Sequence, residues 1–490
     1  MSAAPHQPPA RKPTLTDLFR RLLGIPSPEE RIEVRVAPLI GDDEAKTATR
    51  HVAAIFAGNK RFPVRITAKS FPSKGPTPAF PDAPADNAVP PPSQFSLIAP
   101  LARQFLAAER GDLLIFGDVS GDRLLLRFSP LVAPEEDAPD ALSAGVPLIV
   151  PAEMGDGAVH LVRAAGLTVV APGQPLKAAT VNAALAAVIA PALRAAEALK
   201  ATLDGQEKGL MLLAFASALA RVGYTQGAAP LLQQAIDHYR AAAEAFGRDK
   251  GAYEWAMAER LLGSELLALA ERSDDKTALA GALAALQAAA QALTRETAPR
   301  DWAAVQHRLG IALQRMHEQT SSVEHLKQAL TSFQAALHVF TRAEHPQRWA
   351  DIMTSVGHAG HLLGQILSSP EVLERAASAC RQAIEIRRKE SHPLFWAASQ
   401  NTLGSALFAL GRMTGSIEAL VAAEEAFDGA REVYFARGAE KLAMIAEKNM
   451  VRVRQLLPAG KTKPGGPKGW YEIEDEEEWK KMKGGKEKKS

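Results

Sequence analysis

From Arg31 the chain alternates in period two. In RIEVRVAPLI, Ile32, Val34 and Val36 fall on one side, Glu33 and Arg35 on the other, which predicts a strand. Residues 44–56 then read as a helix and 62–68 as a second strand. Eight prolines between Pro72 and Pro92 come next, a composition that cannot join a core and reads as an extended or disordered loop over 70–94. The next apolar run predicts a helix over 95–110. DLLIFGDVSGDRLLLRF predicts a hairpin turning at Ser120–Gly121–Asp122. Short strands are expected at 146–150 and 167–170. Together these give a small α/β domain over 31–175, built of two strand–helix–strand units.

The period then lengthens. Residues 176–205 carry an Ala-rich helix, expected over 178–203, that connects the domain to the C-terminal half of the chain. Its most apolar part, 178–193, falls short of a bilayer span and contains Asn182 and Pro191, so a buried or interface helix is expected. From 206 to 457 apolar residues recur every three or four positions, and a larger period is laid over that one. Trp255, Trp302, Trp349 and Trp396 are spaced 47 residues apart, and Gly263, Gly310, Gly357 and Gly404 each lie eight residues further on. Leu286, Phe333, Cys380 and Phe427 form a third ladder, and Ala289, Ala336, Ala383 and Ala430 a fourth. Each unit reads as two helices, with Pro299, Pro346 and Pro393 in the connections between units, where they are expected to stop the preceding helix. Small residues let two helix backbones approach, while Trp and Phe fill the space between units. Such a pair cannot bury its apolar face alone, so stacking is required. Degenerate units near Gly209 and Leu442 read as caps of the array. The expected fold is multidomain: the small α/β domain, then an all-α superhelical solenoid.

The repeat residues resemble the tetratricopeptide repeat. The second-helix pattern A-x3-F-x2-A is met by Ala329, Phe333 and Ala336 and by Ala423, Phe427 and Ala430; the Leu-Gly pair is met by Leu309–Gly310 and Leu403–Gly404. The unit of 47 residues exceeds that family's usual length of about 34, which implies longer helices. An armadillo- or HEAT-like solenoid is the alternative. The resemblance implies that first helices line a concave face that grips another polypeptide, and places Arg260, His307, Gln314, His358, His361, Asn401 and Ser405 on it. The N-terminal segments VRVAPLIGDDEAK and DLLIFGDVSGDRLLLRF resemble the amino-terminal α/β domain of the TolB family, which implies a fold and no catalytic motif.

Composition narrows the function. Lys plus Arg number 57 and Asp plus Glu 55, a balance that argues against a globally basic nucleic-acid binder. Aromatic residues make up only 6%, which favours close helix packing over an aromatic-lined pocket. Cys380 is the single cysteine, so no disulfide framework exists and a cytoplasmic setting is expected. Residues 1–30 carry no secretory signal pattern; they are expected to be disordered, or to form a short amphipathic helix over 15–23 that docks on the protein itself, a partner or a membrane surface.

Candidate chemistry is thin. The chain has neither a Gly-rich phosphate loop nor a nucleophile elbow. Asp112, Asp118 and Asp122 sit near one another in sequence and could hold a hard cation, but Asp is also favoured where a hairpin starts and turns. His358 and His361 share a helical face, without a third ligand at helical spacing. No metal, cofactor or catalytic residue is therefore expected, and enzyme function has no positive support. After Leu457 the composition turns to Gly, Pro and Lys around WYEIEDEEEW. Trp470, Tyr471 and Trp479 are expected to form a docking motif in a disordered tail spanning 458–490, for a partner or for the chain's own groove. The expected function is a scaffold or adaptor that binds one or more proteins or peptides, with self-association left open. No nucleic acid is expected, and membrane contact only through 15–23. The alternative is a small-molecule sensor whose α/β domain binds a ligand and whose array relays the signal.

Overall fold

The structure is a computed structural model, and it describes residues 27–71, 94–132, 147–171, 174–203, 205–247 and 252–458. The segment 15–23, most of the Pro-rich stretch and Trp470, Tyr471 and Trp479 lie outside the described residues. The chain divides into two compact units, 10–312, and 313–490 with 1–9. Each is taken by itself.

The first unit opens on a five-stranded sheet of β1 (Val34–Val36), β2 (Val64–Ile66), β3 (Leu113–Ser120), β4 (Arg123–Pro130) and β5 (Leu148–Pro151), ordered β2-β1-β3-β4-β5. β1 is parallel to both β2 and β3, and Val34 and Val36 on one face and Arg35 on the other are all buried, as a central strand covered on both faces requires. α1 (Thr47–Phe56) and α2 (Gln94–Ala108) make the two parallel crossovers. The β3–β4 hairpin turns at Gly121, where φ is +58°. One sheet face carries Leu114 and Phe116 against Ala102 and Leu106 of α2 and against Phe71. On α3 (Asp156–Thr168), Gly166 lies so close to the rings of Phe56 and Phe128 that an added Cβ would stand 2.8 Å from Phe56.

The strand expected over 167–170 is not one. Leu167 and Thr168 are the last turn of α3, and Val169 and Val170 continue as buried coil. Carbonyls at this helix end accept from Arg221, whose guanidinium bonds Leu167 O at 3.1 Å, Thr168 O at 2.7 Å and Val170 O at 2.8 Å.

α4 (Pro175–Lys200) corresponds to the expected connecting helix. It is longer than the apolar core of its sequence, and among the described residues it is the helix long and apolar enough to cross a membrane. A third of its most apolar window is buried against the rest of the chain. Its Lys177 grips Asp112 with a 2.6 Å ion pair, and Asn182 accepts from Arg221 at 3.1 Å.

Helical hairpins continue through the first unit: α5 (Gly205–Gln226) with α6 (Ala229–Phe246), α7 (Ala252–Ser273) with α8 (Lys276–Ala292), and the start of α9 (Pro299–Thr320). The second unit holds the end of α9, α10 (Val323–Leu337), the pairs α11 (Pro346–Ile366) with α12 (Pro370–Ile386) and α13 (Pro393–Thr414) with α14 (Ile417–Ala436), and a final α15 (Glu440–Arg454). The fold is thus a small α/β region followed by a helical repeat. Pro299, Pro346 and Pro393 are the first residues of α9, α11 and α13. They open helices instead of closing them, because a first-turn proline gives up an N–H that has no intrahelical partner and its φ already suits the helix.

The Gly ladder and the Leu/Phe/Cys ladder read from the sequence meet within three hairpins. Gly263 abuts Leu286, Gly357 abuts Cys380 and Gly404 abuts Phe427. A second glycine two turns further on repeats the device, with Gly364 against Leu373 and Gly411 against Leu420. Trp349 and Trp396 share a surrounding too. Arg342 stands 5.4 Å over Trp349 and bonds Glu385 at 2.8 Å; 47 residues later Lys389 stands 5.4 Å over Trp396 and bonds Glu432 at 3.1 Å.

Candidate partner-binding surface

First and second helices differ in what they show to solvent. α7 has no exposed residue from 253 to 270, α11 none from 346 to 365, and α13 none from 396 to 411. α12 is exposed at Glu371, Glu374, Arg375, Ser378, Arg381 and Glu385, one flank at helical spacing. Second helices therefore form an outer layer of each unit, and first helices an inner one.

The inner helices are joined sideways by polar pairs. In the first unit Tyr224 donates to Glu265 Oε2 at 2.8 Å and Tyr253 to Asp301 Oδ2 at 3.0 Å. In the second, the Gln314 amide donates to His358 Nδ1 at 2.5 Å, and the Thr354 and Ser399 hydroxyls lie 2.8 Å apart. These are contacts between successive first helices, and several of the residues expected on a concave face take part in them or lie beside them.

Arg260, His307, Gln314 and His361 are buried; His358, Asn401 and Ser405 are half-buried. None is exposed, so the polar stripe is far less open than its sequence pattern suggests. The reason is the lateral packing of first helices on one another, which the polar pairs bridge. Gln314 is spent on His358, and the Ser405 hydroxyl donates to Asn401 O at 3.0 Å. His361 Nδ1 and Asn401 Oδ1, on neighbouring first helices, are buried without a hydrogen-bond partner. Burial holds His358 below the ordinary imidazole range. It pushes His361 down to about 4, helped by His358 and Arg412. Both rings are neutral near pH 7, which lets His358 Nδ1 accept the Gln314 proton.

The other candidates have structural employment. Asp112 accepts from Glu33 N and pairs with Lys177; Asp122 lies at the hairpin turn, bonded to Arg123 at 3.1 Å. Among the described residues no group of three or more His, Cys, Asp or Glu is placed to hold a metal. The Cys380 thiol is fully buried against Gly357, and burial pushes its pKa up to about 12. Sequence reasoning missed the arginines that hold the scaffold. Besides Arg221, Arg35 donates to Glu109 O and Arg110 O at the end of α2, and buried Arg387 pairs with Asp351 at 2.5 Å under the ring of Phe395. Their partners lie far away in sequence and leave no periodic trace.

No family model and no curated protein matches this chain. Among solved structures, it is similar to a de novo designed helical repeat protein, at 19% identity and a TM-score of 0.21, covering 51% of this chain and 97% of that one. It is also similar to a circular tandem repeat protein with a novel repeat topology, at 15% identity and a TM-score of 0.23, covering 61% of this chain and 84% of the other.

Proposed function

We propose that this chain is a protein-interaction scaffold whose first-helix layer binds an extended partner polypeptide. The observation that carries the reading is the pair of buried, unpartnered polar atoms on neighbouring first helices of one unit, His361 Nδ1 and Asn401 Oδ1. A buried polar atom without a hydrogen bond costs about 1–3 kcal/mol. A polypeptide main chain carries N–H donors and C=O acceptors, the two kinds of group these atoms can bond, and it needs no recognition of side chains to do so. His358 and Ser405, half-buried beside them on the same helices, extend the stripe. Buried Gln314 supports the stripe by holding His358 in place.

The repeat is read as tetratricopeptide-like, on the second-helix residues Ala423, Phe427 and Ala430 and on the contact of Phe427 with Gly404. The role is binding and not catalysis, and the setting is cytoplasmic, in keeping with a single buried thiol that has no second cysteine to pair with.

Selection of binders from a displayed library of random peptides, with the full chain as bait, tests the reading. Selected peptides are expected to lose about ten-fold or more in affinity for Asn401→Leu and for His361→Leu, equivalent to about 1.4 kcal/mol or more. Peptides that bind both variants as well as the parent protein would refute it.

A further inference from the structure

A repeat array normally ends on a helix with a polar outer face, because nothing stacks on it. α15 departs from that rule. Its inner side buries Ala443, Ala446, Met450 and Val453. Its outer side carries Leu442 and Ile445, and the turn that follows it Leu456, exposed by 45%, 50% and 47%. With Asn449 and Arg452 these fall at steps of three and four, so they form one stripe along the helix. Lys441, Lys448 and Arg452 are exposed on or beside it. The nearby carboxylate Glu447 is already paired with Arg431 at 3.2 Å. The face is therefore apolar with a basic border.

The chain itself holds a segment of complementary chemistry. Residues 470–479, WYEIEDEEEW, set Trp470, Tyr471, Ile473 and Trp479 among Glu472, Glu474, Asp475, Glu476, Glu477 and Glu478. It comes soon after α15. Residues 459–469 separate it from the described helix, and so many residues reach roughly 35 Å when extended. α15, at 15 residues, is only about 22 Å long. Glycine and proline fill this connection, GKTKPGGPKG, which suits a chain that must turn back. A short tether gives the segment a high effective concentration at the stripe, so a modest intrinsic affinity is enough for occupancy.

We infer that residues 470–479 dock in cis on the Leu442–Ile445–Leu456 face of α15, covering the open end of the array with aromatic side chains on the apolar stripe and carboxylates against its lysines and arginine. This is a second binding surface, separate from the first-helix stripe, and it stands whether or not that stripe binds a partner.

Thiol labelling in the full-length chain tests it. Ile445→Cys places a reporter within the stripe, and Gln455→Cys places one at its edge with the apolar side chains intact. The native Cys380 is buried and silent. Each reporter is labelled by a maleimide with and without Trp470→Ala/Tyr471→Ala/Trp479→Ala, and Lys327→Cys on α10 serves as a remote control. The native tail is expected to slow labelling of the Gln455→Cys reporter about ten-fold relative to the triple variant. Protection should be independent of protein concentration, should weaken as salt shortens the screening length from about 10 Å to about 3 Å, and should be absent at the control site. Equal labelling with and without the tail aromatics overturns the inference. So does protection that grows with protein concentration, which would put a second copy on the face.

Discussion

Gly404 stands so close to the ring of Phe427 that a Cβ added to it would lie 2.8 Å from Phe427 Cδ1. The two helices of this hairpin are set at a distance only glycine allows. Gly404→Ala gains up to about 1 kcal/mol of helix propensity but forces an overlap that typically costs about 1–3 kcal/mol. A net loss of about 1–2 kcal/mol is expected, read as a lower urea midpoint. Adding Phe427→Leu frees the space, so the double variant should be less destabilised than the sum of the two single ones.

Arg221 holds the end of α3 through three carbonyls and also bonds Asn182. Arg221→Ala leaves those carbonyls without their charged donor, and a loss of about 2–4 kcal/mol is expected. Arg221→Lys keeps the charge but not the fork and should recover only part of it. Chemical denaturation of the three proteins under the same conditions checks the order.

The thiol of Cys380 is enclosed by Gly357 and by its own helix, and burial raises its pKa to about 12. It should resist maleimide in the folded protein and react only through unfolding. Labelling rates that track the unfolding rate across urea concentrations would agree; rapid labelling in buffer alone would not.

His361 titrates near 4 when folded and near 6.5 when unfolded. The unfolded state therefore binds more protons between these values. The stabilisation is fully present above pH 6.5 and is lost as pH falls toward the folded value. Between pH 7 and pH 5 the loss from this residue is about 2 kcal/mol. His361→Gln removes the titration, so the difference in pH dependence between parent and variant isolates it from the carboxylates. Parallel pH profiles for the two proteins would contradict the assignment.

Much of this architecture was legible in the residues. The 47-residue ladders of Trp and Gly mark contacts that recur, and Gly357 with Cys380 or Gly404 with Phe427 meet because identical units solve one packing problem repeatedly. What was not legible depends on partners that do not repeat. Val169 and Val170 look like a strand until Arg221, half a hundred residues away, is seen to hold the helix end there. Pro346 reads from the sequence as the stop of the preceding helix, yet it opens α11. The polar stripe was legible as a set of residues but not as a surface. Gln314 and His358, two of the side chains that the sequence places on one helical face, bind neighbouring helices together, and Thr354–Ser399, which the sequence did not single out, does the same.

The most direct test of the scaffold reading is where a bound peptide touches the protein. A selected peptide carrying a benzophenone at each position in turn is cross-linked to the full chain by light, and the attached residues are found by mass spectrometry. The account predicts attachment within 346–366 and 393–414, close to His358, His361, Asn401 and Ser405. Attachment confined to the outer second helices, or to the sheet between residues 34 and 151, would contradict it.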